Sequence, residues 1–178
     1  LGVLHPTIGL LNVGSEELKG NEAVREAWSI LRNTSLPGQF HGFIEGDDIA
    51  KGTVDVIVTD GFTGNIALKA IEGTAKLYSE FLRQTFMSTA FSRLGYLLAR
   101  PAIRSLKART DPRRYNGAIF LGLNGIAVKS HGGTDALGFA NAIGVAVDMV
   151  THQSIDRIRD DFARLTAQLQ TAPEAAAL

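Results

Sequence analysis

Two hydrophobic periods alternate along this chain. Short apolar runs at Thr7–Val13, Phe40–Ile44 and Val54–Thr59, the last rich in β-branched residues, predict strands. Elsewhere apolar residues return every three or four positions, as on the buried face of a helix. Glu22–Arg32 is such a stretch, with Val24, Trp28 and Leu31 on one face and Pro37-Gly38 as the breaker. Ile66 to about Met87 predicts a long helix. Leu94–Leu98 and Ala102–Arg109 predict a helical pair broken at Pro101. Ala118–Leu123 and Ile126–Lys129 predict strands joined by a hairpin turn at Asn124-Gly125. Asp135–Thr151 is a helix rich in alanine and glycine. Ser154 is expected to cap a last helix through about Gln170, and Thr171–Leu178 to fray. Strands alternating with helices predict an α/β fold, a three-layer αβα arrangement with a mostly parallel sheet covered on both faces.

Composition narrows the classes. The chain has 178 residues, 45% hydrophobic and 20% charged, which suits a folded domain rather than a disordered one. Eighteen basic residues balance eighteen acidic ones, so global charge points to neither nucleic acid nor an acidic polymer. There is no cysteine, which removes thiol nucleophiles, disulfides and thiolate metal sites. No apolar run reaches transmembrane length, and no signal peptide is visible. A core strand follows almost at once on Leu1, so the expectation is the downstream part of a longer protein.

Two glycine-bearing loops carry the candidate chemistry. The first follows the run at Val54, where Asp60-Gly61 ends a strand and Thr63-Gly64-Asn65 leads into a helix. Gly64 permits close backbone approach and Asn65 is expected to cap the helix. A helix N-terminus at the carboxyl end of a parallel strand favours a phosphate, through free N–H groups and the helix dipole. The same local pattern also suits an ordinary capped turn. The second loop is Lys129-Ser130-His131-Gly132-Gly133-Thr134-Asp135, with Thr134 or Asp135 as the expected cap. Lys129 or His131 could supply positive charge there, although His131 also reads as a histidine bonded to backbone. If both loops follow strands of one parallel sheet, they share its carboxyl edge.

Three other features bear on function. Glu45-Gly46-Asp47-Asp48 could hold magnesium, but it also reads as a solvated loop or a helix cap, and no metal is assigned. His5, His41 and His152 show no ligand spacing. From Arg83 to Arg114 the only acid is Asp111, and basic residues such as Arg93, Arg100 and Arg104 interleave with Phe91, Leu94, Leu97 and Leu98. That pattern suits contact with an anionic bilayer, an acidic partner, a dimer face, or an ordinary hairpin whose apolar side is core.

Taken together, the motifs resemble a family. They are Gly9-Leu10-Leu11-Asn12-Val13-Gly14 with Glu16, Glu17, Lys19 and Gly20, Glu45-Gly46 with Asp48-Ile49, Asp60-Gly61-Phe62-Thr63-Gly64-Asn65 with Lys69, Glu72 and Gly73, and His131-Gly132. Their order and spacing resemble the bacterial phosphate acyltransferases of phospholipid synthesis, from about Leu4 to the final helix. The resemblance implies transfer of a long-chain fatty acyl group from acyl carrier protein to inorganic phosphate, without a cofactor. It implies the C-terminal part of a longer α/β enzyme with the sheet architecture of isocitrate and isopropylmalate dehydrogenases, and a protruding helical hairpin at about 83–114. It also implies a homodimer, with the helix from Ile66 as a plausible contact, in the cytoplasm at the inner face of the membrane.

On that reading Asn65 and His131 are candidate donors to phosphate or oxyanion, and Lys69 a nearby positive charge. Asp60, Gly61, Thr63, Gly64, Gly132, Gly133 and Thr134 would surround the phosphate. Phosphate is itself a nucleophile and a thioester is already activated, so no covalent enzyme intermediate is required. Phe43 and Asp47 stand where the resemblance leads one to expect asparagine and often arginine, and no catalysis is assigned to that loop. A non-catalytic membrane-binding scaffold and an isocitrate-type dehydrogenase remain the alternatives. The chain has no Gly-x-Gly-x-x-Gly fingerprint, though the latter fold does not require one.

Overall fold

The structure, a computed structural model, describes residues 3–171. The chain divides into two compact units, one built from residues up to Leu77 together with those from Asp161 onward, the other from Tyr78–Asp160.

The first unit is a small parallel α/β layer. It contains β1 (Thr7–Leu11), α1 (Glu22–Leu31), β2 (Gln39–Ile44), α2 (Gly46–Lys51), β3 (Val56–Val58) and the start of α3 (Gly61–Met87). The strands run parallel in the order β2-β1-β3, with β1 in the middle. Pairing along β1 and β2 steps from Ile8↔Phe40 to Gly9↔Gly42. His41 is the extra residue of this bulge, and Gly42 supports it with a φ of +104°.

Adjacent strand residues face opposite sides, so the two faces of the sheet have different partners. Phe43 stacks on Trp28 of α1 at 5.8 Å between ring centroids, and the Arg32 guanidinium lies over Trp28. Leu11, Ile44 and Val54 form the other cluster, against which Ile49 of α2 and Ile57 of β3 pack. Ile44 is the best buried of these, only 1% exposed. The predicted face of α1 holds, since Val24, Trp28 and Leu31, with Ala27 beside them, are its half-buried positions. Val56 and Val58 do not meet the expectation of a strand covered on both faces. Both are exposed, because β3 pairs with β1 alone and forms an edge among the described residues.

The start of β1 is tied to the residue preceding β3. Asp55 Oδ2 accepts from the backbone N–H of Thr7 at 2.8 Å and from its hydroxyl at 2.7 Å, while the Asp55 N–H donates back to Thr7 Oγ1 at 2.9 Å. These bonds, the backbone one first, hold the Asp55 carboxyl below the usual carboxylate range.

The second unit contains the rest of α3, then α4 (Ala90–Arg109), a 3₁₀ turn at Pro112–Tyr115, β4 (Ala118–Ile119), β5 (Val128–Lys129), α5 (Ala136–Thr151) and the beginning of α6 (Ser154–Thr171). β4 and β5 pair antiparallel, Ala118↔Lys129 and Ile119↔Val128, extended by a bond from the Phe120 N–H to the Ala127 carbonyl. The register sets the hairpin midpoint between Leu123 and Asn124. The strands are thus shorter than predicted and Asn124-Gly125 lies just past the centre of a longer loop. This pair forms a sheet of its own, so the two glycine loops do not follow strands of one parallel sheet.

Four helix boundaries differ from the sequence expectation. α3 begins at Gly61 rather than Ile66. α4 runs unbroken through Pro101; the exposed helix lets water take the carbonyl that proline leaves without an N–H. Ser154 is the first residue of α6 and not its cap, a position taken by Gln153 with a φ of +51°. Thr171 closes α6, and the rest of the expected tail, residues 172–178, lies outside the described residues. α3 meets α4 across their junction, where Phe86 and Tyr96 pack edge to face and Arg93 Nε donates to the Met87 carbonyl.

Candidate functional site

In the first unit the three parallel strands deliver three loops to one sheet edge. The loop after β1 carries Asn12 and Lys19, α2 opens directly after β2, and the Asp60 turn follows β3. Carboxyl ends of parallel strands are where ligands bind in such sheets. Asn12 is buried, its N–H donating to the Ile44 carbonyl at 2.8 Å and its Nδ2 to the Lys19 carbonyl at 3.2 Å. It closes the loop so that exposed Lys19, 4.0 Å from Glu16, stands on this edge. Asn12 and Lys19 carry no assigned role in the sequence reading.

Asp60, not Asn65, caps α3. Its Oδ1 accepts from the backbone N–H groups of Phe62 and Thr63, each at 2.9 Å, and its carbonyl accepts from the Gly64 N–H at 2.9 Å. The Thr63 side chain and backbone and the Phe62 N–H hold the Asp60 carboxyl below the usual carboxylate range. The backbone N–H groups at Thr63 and Gly64 are therefore engaged within the turn. Asn65 lies inside the first turns of α3, exposed, and its side-chain amide makes no hydrogen bond among the described residues. Lys69 pairs with Glu72 at 3.7 Å, one turn further from Asp60.

The acidic run Glu45–Asp48 is a reciprocal helix cap. Glu45 accepts at the third helical position of α2, and Asp48 Oδ2 accepts from the Glu45 N–H at 2.9 Å. Asp47 is bound by Lys51 at 2.6 Å. Phe43 is core, which accounts for its place in this chain.

In the second unit the His131 loop is held by hydrogen bonds of its own. Gly133 donates its N–H to His131 Nδ1 at 3.1 Å, and the Thr134 N–H donates to the His131 carbonyl at 3.2 Å. With Nδ1 accepting, a neutral His131 carries its proton on Nε2, an outward donor on an exposed ring. Asp135 caps α5 as expected, accepting from the Gly138 N–H at 3.1 Å. That bond, then the Arg113 guanidinium at 2.9 Å, holds its carboxyl below the usual range. Lys129 is exposed.

The residue most deeply set in this loop was not singled out by sequence. Asn116 is 9% exposed; its Nδ2 donates to Ser130 Oγ at 2.8 Å and to the Gly138 carbonyl at 2.7 Å. Its Oδ1 accepts from the His131 N–H at 2.9 Å. Asn-Gly at 116–117 is a turn signal that could have flagged it.

The basic helix α4 presents its apolar residues outward. Phe91 is 88% and Leu98 75% exposed, with Leu94 and Leu97 also exposed. Arg93, Arg100 and Arg104 are exposed on the same helix and form no ion pair among the described residues. No helix among the described residues is long and apolar enough to cross a membrane.

Comparison with known proteins gives a consistent picture. The family described as fatty acid synthesis protein matches residues 1–157. The phosphate acyltransferase of Rhodospirillum centenum is 66% identical over 172 residues, 97% of this chain and 48% of that protein. That of Paramagnetospirillum magneticum is 67% identical over 165 residues, 93% of this chain and 47% of that protein. That of Rhodospirillum rubrum is 61% identical over 165 residues, with the same coverage. The chain spans about half the length of these curated relatives.

Proposed function

The chain belongs to the family of fatty acid synthesis proteins, and from that footing we propose that it serves the transfer of a long-chain fatty acyl group from acyl carrier protein to inorganic phosphate. The agreement of several relatives, 56–67% identical and all named phosphate acyltransferase, is the observation that carries this reading. It leaves the dehydrogenase and scaffold alternatives unfavoured.

In the proposed reaction a phosphate oxygen attacks the thioester carbonyl, forming the C–O bond of the acyl phosphate. The C–S bond then breaks, and the carrier thiol leaves with the proton that phosphate loses. The protein needs to hold phosphate near the carbonyl and to stabilise the oxyanion. Each task needs a donor: the first unit offers the Asn65 amide, and the second, by itself, the His131 Nε2–H. In the first unit Thr63 and Gly64 beside Asp60-Gly61 are proposed phosphate neighbours; in the second, taken by itself, Gly132, Gly133 and Thr134 beside His131 are. Because Asp60 already engages backbone donors at its turn, phosphate there would meet side chains or displace that carboxylate. Lys69, paired with Glu72, enters as positive potential beside the turn rather than as a ligand.

The same reading takes the chain as the C-terminal α/β portion of a dehydrogenase-like fold, with residues of about 83–114 as a protruding helical hairpin. Exposed apolar residues along α3 suit a homodimer contact. The exposed apolar residues and exposed arginines of α4 suit an anionic bilayer at the inner face of the membrane, or the acidic carrier. Sedimentation with anionic vesicles separates these uses: pelleting lost on charging Leu97 and Leu98 supports the bilayer, and its absence leaves the carrier or the dimer.

The deciding experiment is acyl phosphate formation from long-chain acyl carrier protein and inorganic phosphate, trapped with hydroxylamine. It is run on this chain and on a version carrying the upstream coding region. Product from the longer version, or from both, supports the proposal. Product from neither, with both folded, overturns it.

A further inference from the structure

Asn116 joins three segments of the second unit through one side chain. It lies just before β4, yet it bonds Ser130 and His131 after β5 and Gly138 in the first turn of α5. Buried amides that fill their bonding capacity across distant segments fix those segments relative to one another. The residues around it reinforce that role. Gly117 has a φ of +125°, and a Cβ there would lie 2.9 Å from Val145 Cγ2 and 3.2 Å from the Ala142 Cα, so the backbone is pressed onto α5. Asn141 Nδ2 donates to the Arg113 carbonyl at 2.8 Å, and the Arg113 guanidinium bridges Asp111 and Asp135. His131 is thus held twice, at its backbone N–H by Asn116 and at its ring by Gly133.

We propose that Asn116 is a positioning residue for the acyl transfer, setting the place and direction of the His131 Nε2–H without itself touching phosphate or thioester. The inference rests on the reading that the His131 loop takes part in the reaction. An alanine at 116 removes all three bonds while keeping the backbone. An aspartate keeps the shape and the acceptor for the His131 N–H but removes both donors.

The test uses the protein expressed from its whole reading frame. Turnover and KM for inorganic phosphate are measured for the parent, Asn116→Ala, Asn116→Asp, His131→Ala and the Asn116→Ala/His131→Ala double variant, each checked by thermal melting. The expected result is a loss of kcat/KM of about tenfold or more for Asn116→Ala, the size of one or two lost hydrogen bonds. The double variant should then be no worse than His131→Ala alone, since Asn116 acts through that residue. Should Asn116→Ala not fold, Asn116→Asp and its double variant with His131→Ala carry the same comparison. Unchanged kinetics in a folded Asn116 variant, with His131→Ala impaired, overturns the positioning role alone. Losses that multiply in the double variant overturn it too, since they mark an effect independent of His131. Full activity in His131→Ala removes the loop from the reaction, and the proposal falls with that reading.

Discussion

Asp60 Oδ1 lies 2.9 Å from the backbone nitrogen of Thr63, in the position an anion would take at the start of α3. The same oxygen accepts from the Phe62 N–H. The turn that most resembles a phosphate site is thus already held by a carboxylate of the chain. Asp60→Ala should lower the melting temperature, because the helix loses its cap. Added phosphate should then raise the melting temperature of the variant more than that of the parent, since two backbone donors are freed. Equal phosphate responses in the two proteins would show that the turn does not take the anion through its backbone.

The side chains at this turn separate by their partners. Asn65 has no side-chain partner among the described residues, whereas Lys69 pairs with Glu72, one turn further from Asp60. Asn65→Ala should therefore lower turnover by about a hundredfold, the scale of a lost oxyanion donor, with little change in melting temperature. Lys69→Ala should keep turnover within about threefold, as expected for an exposed ion pair. Hydroxylamine trapping of product in the protein made from its whole reading frame reads both. Equal losses would return Lys69 to direct contact with substrate.

How much of this could be read from sequence depends on how local each feature is. The face of α1 and the Asp135 cap were legible because helical period and capping chemistry lie within a few residues. The parallel strands were legible as short apolar runs, but not the exposure of Val56 and Val58, which depends on which strand ends at an edge. Asp60 reads in sequence as the end of a strand-like run and a neighbour of the phosphate, not as the cap of α3, because the glycines after it hide the true start of that helix. Asn116 is legible in sequence only as half of an Asn-Gly turn signal, and its contacts are not. Its partners lie 14, 15 and 22 residues away, so its role exists only once the chain has folded.

Acid should loosen the second unit through Asp111. The Arg113 guanidinium, 2.6 Å away, pulls its carboxyl down to about 2. In the unfolded chain the group titrates near the ordinary value of about 3.9. A folded-state value below the unfolded one means that the ionised form supports the fold. That contribution is complete above the unfolded value and is lost as pH falls through the folded one. Asp111→Asn cannot titrate. The parent should therefore melt higher than this variant near neutral pH, and the gap should close between about pH 4 and pH 2. A gap that stays constant over that range would mean the pair does not respond to protonation.

Phe43 is the clearest case of a position where this chain departs from the resemblance and the structure supplies the reason. It is 8% exposed and stacks on Trp28, so it ties β2 to α1. An asparagine there would lose the ring contact and bury an amide. Phe43→Asn should cost about 3 kcal/mol or more, the range for losing a buried aromatic side chain. Urea unfolding of the parent and the variant measures it. Because the ring faces α1 rather than a loop of the candidate site, the folded fraction of Phe43→Asn should keep the turnover of the parent. A gain in turnover would show that the asparagine reaches substrate after all, and would move this strand end into the site.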